Sequence, residues 1–160
     1  MKLKLLTPLF VSAFLVLPLS GCNKEPAPKA GPAPNASAPK APTVMNFDEG
    51  TLFAVDKADL KPEGKEQLNA YREKAKAELS SAEKVRVVGY TDNTGTAEHN
   101  SKLSQQRAEA VRDYLVSVGV DAKKMEAIGA ADANPVADNG TKEGQAKNRR
   151  VEIEVIGLGK

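Results

Sequence analysis

Lys84-Val-Arg-Val-Val-Gly-Tyr-Thr-Asp-Asn-Thr-Gly-Thr96 changes character twice within a few residues. Lys84–Tyr90 is β-branched and alternates, with Val85 and Val87 on one face, so it predicts a strand. Thr91–Thr96 (TDNTGT) is a cluster of turn formers. A helix follows from about Ala97 to Val118, with Leu103, Arg107, Val111, Tyr114 and Val118 along one stripe and Gly119 as its C-terminal stop. A strand that ends where a helix begins leaves backbone N–H groups pointing outward, a common place for a ligand. Asp92 stands in that turn, and Arg107 on the departing helix. Taken alone, an Asp in a turn and an Arg on a helix are ordinary.

Upstream, Thr51–Val55 (TLFAV) is short and β-prone, which predicts a first strand. Lys61-Pro62-Glu63 opens a helix with Pro in its first turn, and Leu68, Tyr71, Ala75 and Leu79 recur at helical spacing to about Ser80. Downstream, Met125–Ile128 predicts a short strand and Asp132–Thr141 a loop with Asn134-Pro135 and Asn139-Gly140 as breakers. A short helix follows near Lys142–Lys147. Val151, Ile153 and Val155 alternate with Glu152 and Glu154, the pattern of a strand with one wet face. The order β-α-β-α-β-(α)-β implies a two-layer α/β (α+β) sandwich over residues 44–160. Two main helices would pack on a mixed four-stranded sheet.

The front of the chain has another composition. Residues 1–21 read as an export signal: Lys2 and Lys4, an apolar run from Leu5 to Leu19, then small residues. That run of about fifteen residues is shorter than the roughly twenty a membrane span needs. Leu19-Ser20-Gly21-Cys22 resembles the lipobox of bacterial lipoproteins, which implies cleavage before Cys22, a diacylglyceryl thioether on its sulfur and an acyl chain on its amine. Several chains make anchoring effectively stable where one does not. Asn23, in place of the Asp associated with inner-membrane retention in enterobacterial lipoproteins, leans towards the outer membrane, with the domain facing the periplasm. Cys22 is the sole cysteine, so no disulfide partner exists. Residues 22–43 then form a linker with six prolines among Ala, Gly and Lys. Such a segment cannot bury apolar surface, and as polyproline II at about 3.1 Å per residue it reaches on the order of 60 Å.

Charge removes some function classes. The chain carries 23 Lys+Arg against 21 Asp+Glu, and Lys2 and Lys4 leave with the leader, so the remainder is formally neutral. A nucleic-acid binder would show a basic excess, and cationic adhesion to a membrane is unsupported for the same reason. Trp is absent and aromatics are few. His99 is the one histidine; it reads as a solvated residue of a helix start, since no carboxylate pair or metal-ligand cluster accompanies it. No cofactor is expected beyond the covalent lipid.

Three spaced strings carry a resemblance. They are Leu52-Phe-Ala-Val-Asp56-Lys-Ala-Asp-Leu60-Lys-Pro-Glu-Gly64, then Gly89-Tyr-Thr-Asp-Asn-Thr-Gly95 with Asn100-x-x-Leu-Ser-x-x-Arg-Ala108, and Asn148-Arg-Arg-Val-Glu-Ile153. From about Leu52 to Ile156 the chain resembles the OmpA-like peptidoglycan-binding domain. The resemblance implies that Asp92 and Arg107 grip the diaminopimelate of the cell-wall peptide, supported by Thr91, Asn100, Arg149 and Asp56. Its chemistry is coherent, because diaminopimelate ends in an ammonium and a carboxylate on one carbon. A carboxylate can accept from the first, and a guanidinium can fork onto the second. The chain departs from the family at Tyr90, where His is usual, and at Ala130-Ala131, where Tyr-Gly is usual. The expected function is that of an outer-membrane lipoprotein bound to peptidoglycan. The alternatives are an accessory subunit of a larger envelope machine, such as the Tol system or a secretion assembly, and a cell-wall hydrolase.

Overall fold

The computed structural model describes residues 42–158. The export signal over residues 1–21, the lipidation expected at Cys22 and the linker as far as residue 41 lie outside the described residues. Strand β1 (Thr43–Asp48) leads into α1 (Glu49–Leu52), α2 (Pro62–Lys74) and α3 (Lys76–Ser81). Then come β2 (Ala82–Tyr90), α4 (Ala97–Ser117), a 3-10 turn (Ala122–Lys124), β3 (Met125–Ala131), α5 (Lys142–Asn148) and β4 (Arg150–Leu158). The strands form one mixed sheet in the order β1-β4-β2-β3, with β2 and β3 parallel and the other pairs antiparallel. This is the expected α/β architecture. No helix of the described residues is long and apolar enough to cross a membrane.

Val85 and Val87 of β2 and Val151, Ile153 and Val155 of β4 meet Leu68 and Tyr71 of α2 and Val111 and Leu115 of α4 in one core. The opposite face of the sheet is ionic. Arg86 bridges Glu126 and Glu154 at 3.5 and 3.1 Å, and Lys84 joins Glu126 at 3.3 Å. Leu68, Tyr71, Ala75 and Leu79 are all buried, as their spacing predicts, although the helix is interrupted at Ala75.

The first strand lies earlier than Thr51–Val55. Glu49–Leu52 is a helical turn whose N-cap Asp48 accepts from the Thr51 N–H at 3.2 Å. Phe53 forms only an isolated bridge with Leu60. Leu52 and Phe53 are both in the core, at 0% and 1% exposure. Successive residues of a strand point to opposite faces, so a helical turn that ends between them is what buries both. The strand is instead Thr43–Asp48, whose Phe47 packs edge-on against Tyr71 with ring centroids 5.5 Å apart.

Helix α4 starts at N-cap Thr96, whose hydroxyl accepts from the His99 N–H at 3.2 Å. It stops at Gly119, φ +102°, where Gly119 and Val120 donate to Val116 and Leu115 in a Schellman closure. Its buried face runs through Asn100, Ser104, Arg107, Ala108, Val111 and Leu115, with Leu103, Tyr114 and Val118 half-buried at its flanks. Arg107 and Val111 of the expected stripe are buried, whereas Leu103 and Tyr114 each lie one residue from a buried position, Ser104 and Leu115. The sheet explains the shift. Gly89 and Gly129 are paired across β2 and β3, and a Cβ on either would collide with the α4 backbone at Ser104 or Gln105. Backbone meets backbone there, so the helix needs small residues at its closest approach. Ser104 and Gln105 also accept from the Ala131 and Gly129 N–H groups at 3.1 and 2.7 Å, covering the edge of β3.

Gly89→Ala should accordingly force α4 off the sheet. A loss of about 1–3 kcal/mol, the range for overpacking a tight contact, is expected in chemical unfolding. A melting curve unchanged from the parent would show that the helix seat is looser than described.

Candidate functional site

The ends of β1 and β2 and the start of β4 meet at one edge of the sheet, because β4 runs antiparallel to both. Asp48 pairs with Arg150, and Gly89 with Val151. A cleft of about 470 Å³ opens there against the first half of α4. Asp92, Arg107, Thr91, Asn100, Arg149 and Asp56 all line it.

Asp92 is buried in the turn after β2 and held on both oxygens. Its Oδ1 accepts from the Thr94 N–H at 2.9 Å and from the Thr94 hydroxyl, and its Oδ2 from Arg149 Nη1 at 2.6 Å. Asn100, one turn into α4, donates Nδ2 to the Asp92 and Thr94 carbonyls at 3.2 and 2.9 Å and so fixes the turn to the helix. Arg107 is 2% exposed. Its Nε donates to the Lys57 carbonyl at 3.0 Å, and its guanidinium carbon lies 5.6 Å from the Phe53 ring centroid. The Thr91 hydroxyl is buried without a hydrogen-bond partner among the described residues. Asp56 stands on the rim, largely exposed at φ +56°, and pairs with His99 Nε2 at 2.9 Å. His99 is exposed in the first turn of α4, as expected, and also lines the cleft.

Among the lining residues not anticipated, one is a buried charge. Glu49, the first residue of α1, is 7% exposed; its Oε1 meets Arg107 Nη2 at 2.6 Å, and its Oε2 lies 3.6 Å from Arg149 Nε. Arg107, Glu49, Arg149 and Asp92 therefore form a chain of alternating charge through the cleft. The only local signal for Glu49 is an acid beside the N-cap Asp48, which is common at helix starts.

Asn148-Arg149-Arg150 serves three directions. The Asn148 side chain is saturated: Oδ1 accepts from Val136 and Ala137 at 2.8 and 2.9 Å, and Nδ2 donates to the Ala137 carbonyl at 2.9 Å and Asn139 Oδ1 at 2.8 Å. It shapes the loop after β3. Arg149 turns into the cleft. Arg150 turns to the opposite face, where its guanidinium stacks 3.9 Å from the Tyr90 ring centroid and bonds Glu152 at 2.7 Å. Tyr90 therefore faces away from the cleft. Ala131 adopts φ +50°, a conformation that favours Gly, which accounts for the family's preference there.

Burial pushes the Glu49 carboxyl above its ordinary value, against the pull of Arg107 and Arg149. Burial acts the same way on Asp92, but the Thr94 and Arg149 hydrogen bonds outweigh it and hold that carboxyl low. Desolvation lowers the Arg107 guanidinium, opposed by Glu49. The cleft thus presents an anion and a cation in a partly dry setting, with an unpartnered hydroxyl and the Asn100 amide beside them. Such a site can accept from an ammonium and donate to a carboxylate.

The model of the OmpA family matches residues 52–149, more than half of the chain. The chain belongs to that family. It is 44% identical to Outer membrane protein A of Bordetella avium over 87% of this chain and 69% of that protein. It is 43% identical to the probable lipoprotein YiaD of Escherichia coli over 72% of this chain and 52% of that protein, about half its length. Among solved structures, the cell wall anchor of the T6SS from Pseudomonas aeruginosa superposes with a TM-score of 0.65 at 34% identity, covering 75% of this chain and 87% of that one.

The lowered Asp92 carboxyl contributes stability that is present above its ordinary value of 3.8 and is lost as pH falls through its lower folded value. In Arg149→Ala one source of that depression is gone, so Asp92 should titrate higher than in the parent when followed by carboxyl NMR. An unchanged titration would assign the depression to Thr94 alone.

Proposed function

We propose that this protein is a lipid-anchored outer-membrane protein that binds peptidoglycan without cutting it. The ligand is the zwitterionic end of diaminopimelate in the peptide stem. The observation that carries this reading is the convergence of Asp92 and Arg107 on one cleft, at the two positions that the family resemblance assigns to diaminopimelate. Thr91, Asn100, Arg149 and Asp56 line the same cleft. The Thr91 hydroxyl, buried beside Asp92, has no hydrogen-bond partner among the described residues. The lipobox ending at Cys22 and the Pro-rich linker support a tether between outer membrane and wall. So does the likeness to relatives named as an outer membrane protein and a probable lipoprotein. A second reading, a wall anchor for a larger envelope machine, draws on the likeness to the secretion-system structure. It uses the same cleft and differs only in what the rest of the protein holds.

Charge-assisted hydrogen bonds sheltered from water contribute about 1.5–3 kcal/mol. Asp92→Ala and Arg107→Ala should each weaken co-sedimentation with intact sacculi about tenfold to a hundredfold. Arg112→Ala, on α4 but paired with its neighbour Asp113, should change little. Equal losses from all three would indicate generic charge attraction, and released wall fragments would indicate a hydrolase.

Cys22→Ser should leave the protein unlipidated. After peptidoglycan is digested, that variant is expected in the soluble fraction while the parent stays with membranes. A variant that still pellets with washed membranes would show that something other than lipid holds it.

A further inference from the structure

We infer that Glu49 sets the charge specificity of the cleft, making it select a ligand centre that carries both an ammonium and a carboxylate over one that carries a carboxylate alone. This rests on the peptidoglycan reading above and adds a residue that the family resemblance did not assign. The four linked groups are two guanidiniums and two carboxylates, Arg107, Glu49, Arg149 and Asp92, so the cluster is neutral. The other carboxylate and ammonium on the cleft wall, Asp56 and Lys61, are one of each sign. Without Glu49 the cluster would carry an excess positive charge and attract any carboxylate.

With Glu49 in place, an arriving carboxylate meets Arg107 already paired at 2.6 Å and feels the repulsion of that partner. Only a ligand that brings an ammonium to Asp92 at the same time offsets the repulsion. Specificity here comes from an element that disfavours the wrong ligand, not from an extra contact with the right one. Glu49 can exert this effect because it is fixed. It is nine-tenths buried, its backbone N–H donates to the Arg149 carbonyl at 3.2 Å, and one oxygen is committed to Arg107. Its other oxygen is buried without a hydrogen-bond partner among the described residues and lies 3.6 Å from Arg149 Nε, so its charge sits between the two guanidiniums.

The test uses the full chain in detergent and two soluble stem peptides ending in meso-diaminopimelate. One has the terminal amine free, and the other has it N-acetylated. Titration calorimetry should show the parent preferring the free amine by about tenfold or more, the weight of one charge contact in a partly screened site. Glu49→Gln, which keeps an acceptor for Arg107 but not the charge, should shrink that preference about tenfold, chiefly by binding the acetylated peptide more tightly. Arg149→Gln removes a positive charge and should enlarge the preference, which keeps the test open if Glu49→Gln does not fold. Proportionate loss of both peptides in Glu49→Gln would mark a merely structural residue and overturn the inference. So would parent-like discrimination in both variants. A parent that binds neither peptide would overturn the peptidoglycan reading itself, whereas a discriminating parent with unresponsive variants overturns only the role of Glu49.

Discussion

The alternating chain Arg107–Glu49–Arg149–Asp92 ties together four segments that are remote in sequence: the middle of α4, the start of α1, the junction of α5 with β4, and the turn after β2. Taking such charges out of water costs several kcal/mol per ion, and a packed apolar cluster of similar volume would often be as stable. Stability is therefore a poor explanation for it. What an apolar cluster cannot do is hold fixed charges of both signs at the wall of an open cleft. Each ion also restrains its neighbour: Arg149 and Thr94 keep Asp92 ionised, and Glu49 keeps the buried Arg107 compensated.

The rest of the architecture supplies the precision this arrangement needs. Gly89 and Gly129, paired in adjacent strands, let α4 lie directly on the sheet backbone, and Ser104 and Gln105 lock it there. Arg107 lies less than one turn beyond that seat, and Asn100 about one turn before it. Helix, turn and sheet edge thus form one rigid frame from Thr91 to Arg107. A site built on such a frame loses little freedom when a ligand arrives, and this lowers the cost of binding.

Much of that frame was legible because its signals are local. Strand, turn and helix follow one another through Lys84–Val118, so Asp92 and Arg107 could be placed on their elements without knowing the fold. The failures share a physical cause. β1 has a single buried residue, Phe47, and its remaining residues sit at an exposed edge, so TVMNFD shows no clear alternation. The TLFAV stretch has strong β-propensity, but burying Leu52 and Phe53 together overrode it. On α4, Arg107 and Val111 are buried as their spacing predicts, but the glycine seat requires small residues at the closest approach, so Ser104 is buried in place of Leu103. Glu49 was invisible for a deeper reason. Its role depends wholly on arginines brought to it by sheet pairing and helix docking, and nothing beside it in the chain records that.

On the proposed reading, the direction in which the domain is loaded follows from the same topology. The Pro-rich segment joins the domain at Thr43, the first residue of β1, and the cleft lies past the other end of that strand, where Glu49 begins α1. At roughly 3.3 Å per residue these points are about 20 Å apart along the strand. Tension between membrane and wall would therefore run nearly parallel to β1. Its antiparallel ladder with β4, from Thr43↔Val155 to Asp48↔Arg150, would bear that tension in shear. In shear the cross-strand bonds strain together, whereas peeling breaks them one at a time. The ladder also ends on the residues next to Glu49 and Arg149, so the strand pair that would resist the pull is the one that aligns the ion chain. An edge strand with little buried surface makes sense on these terms: it contributes modestly to the core, but on the proposed reading it would couple the tether to the cleft.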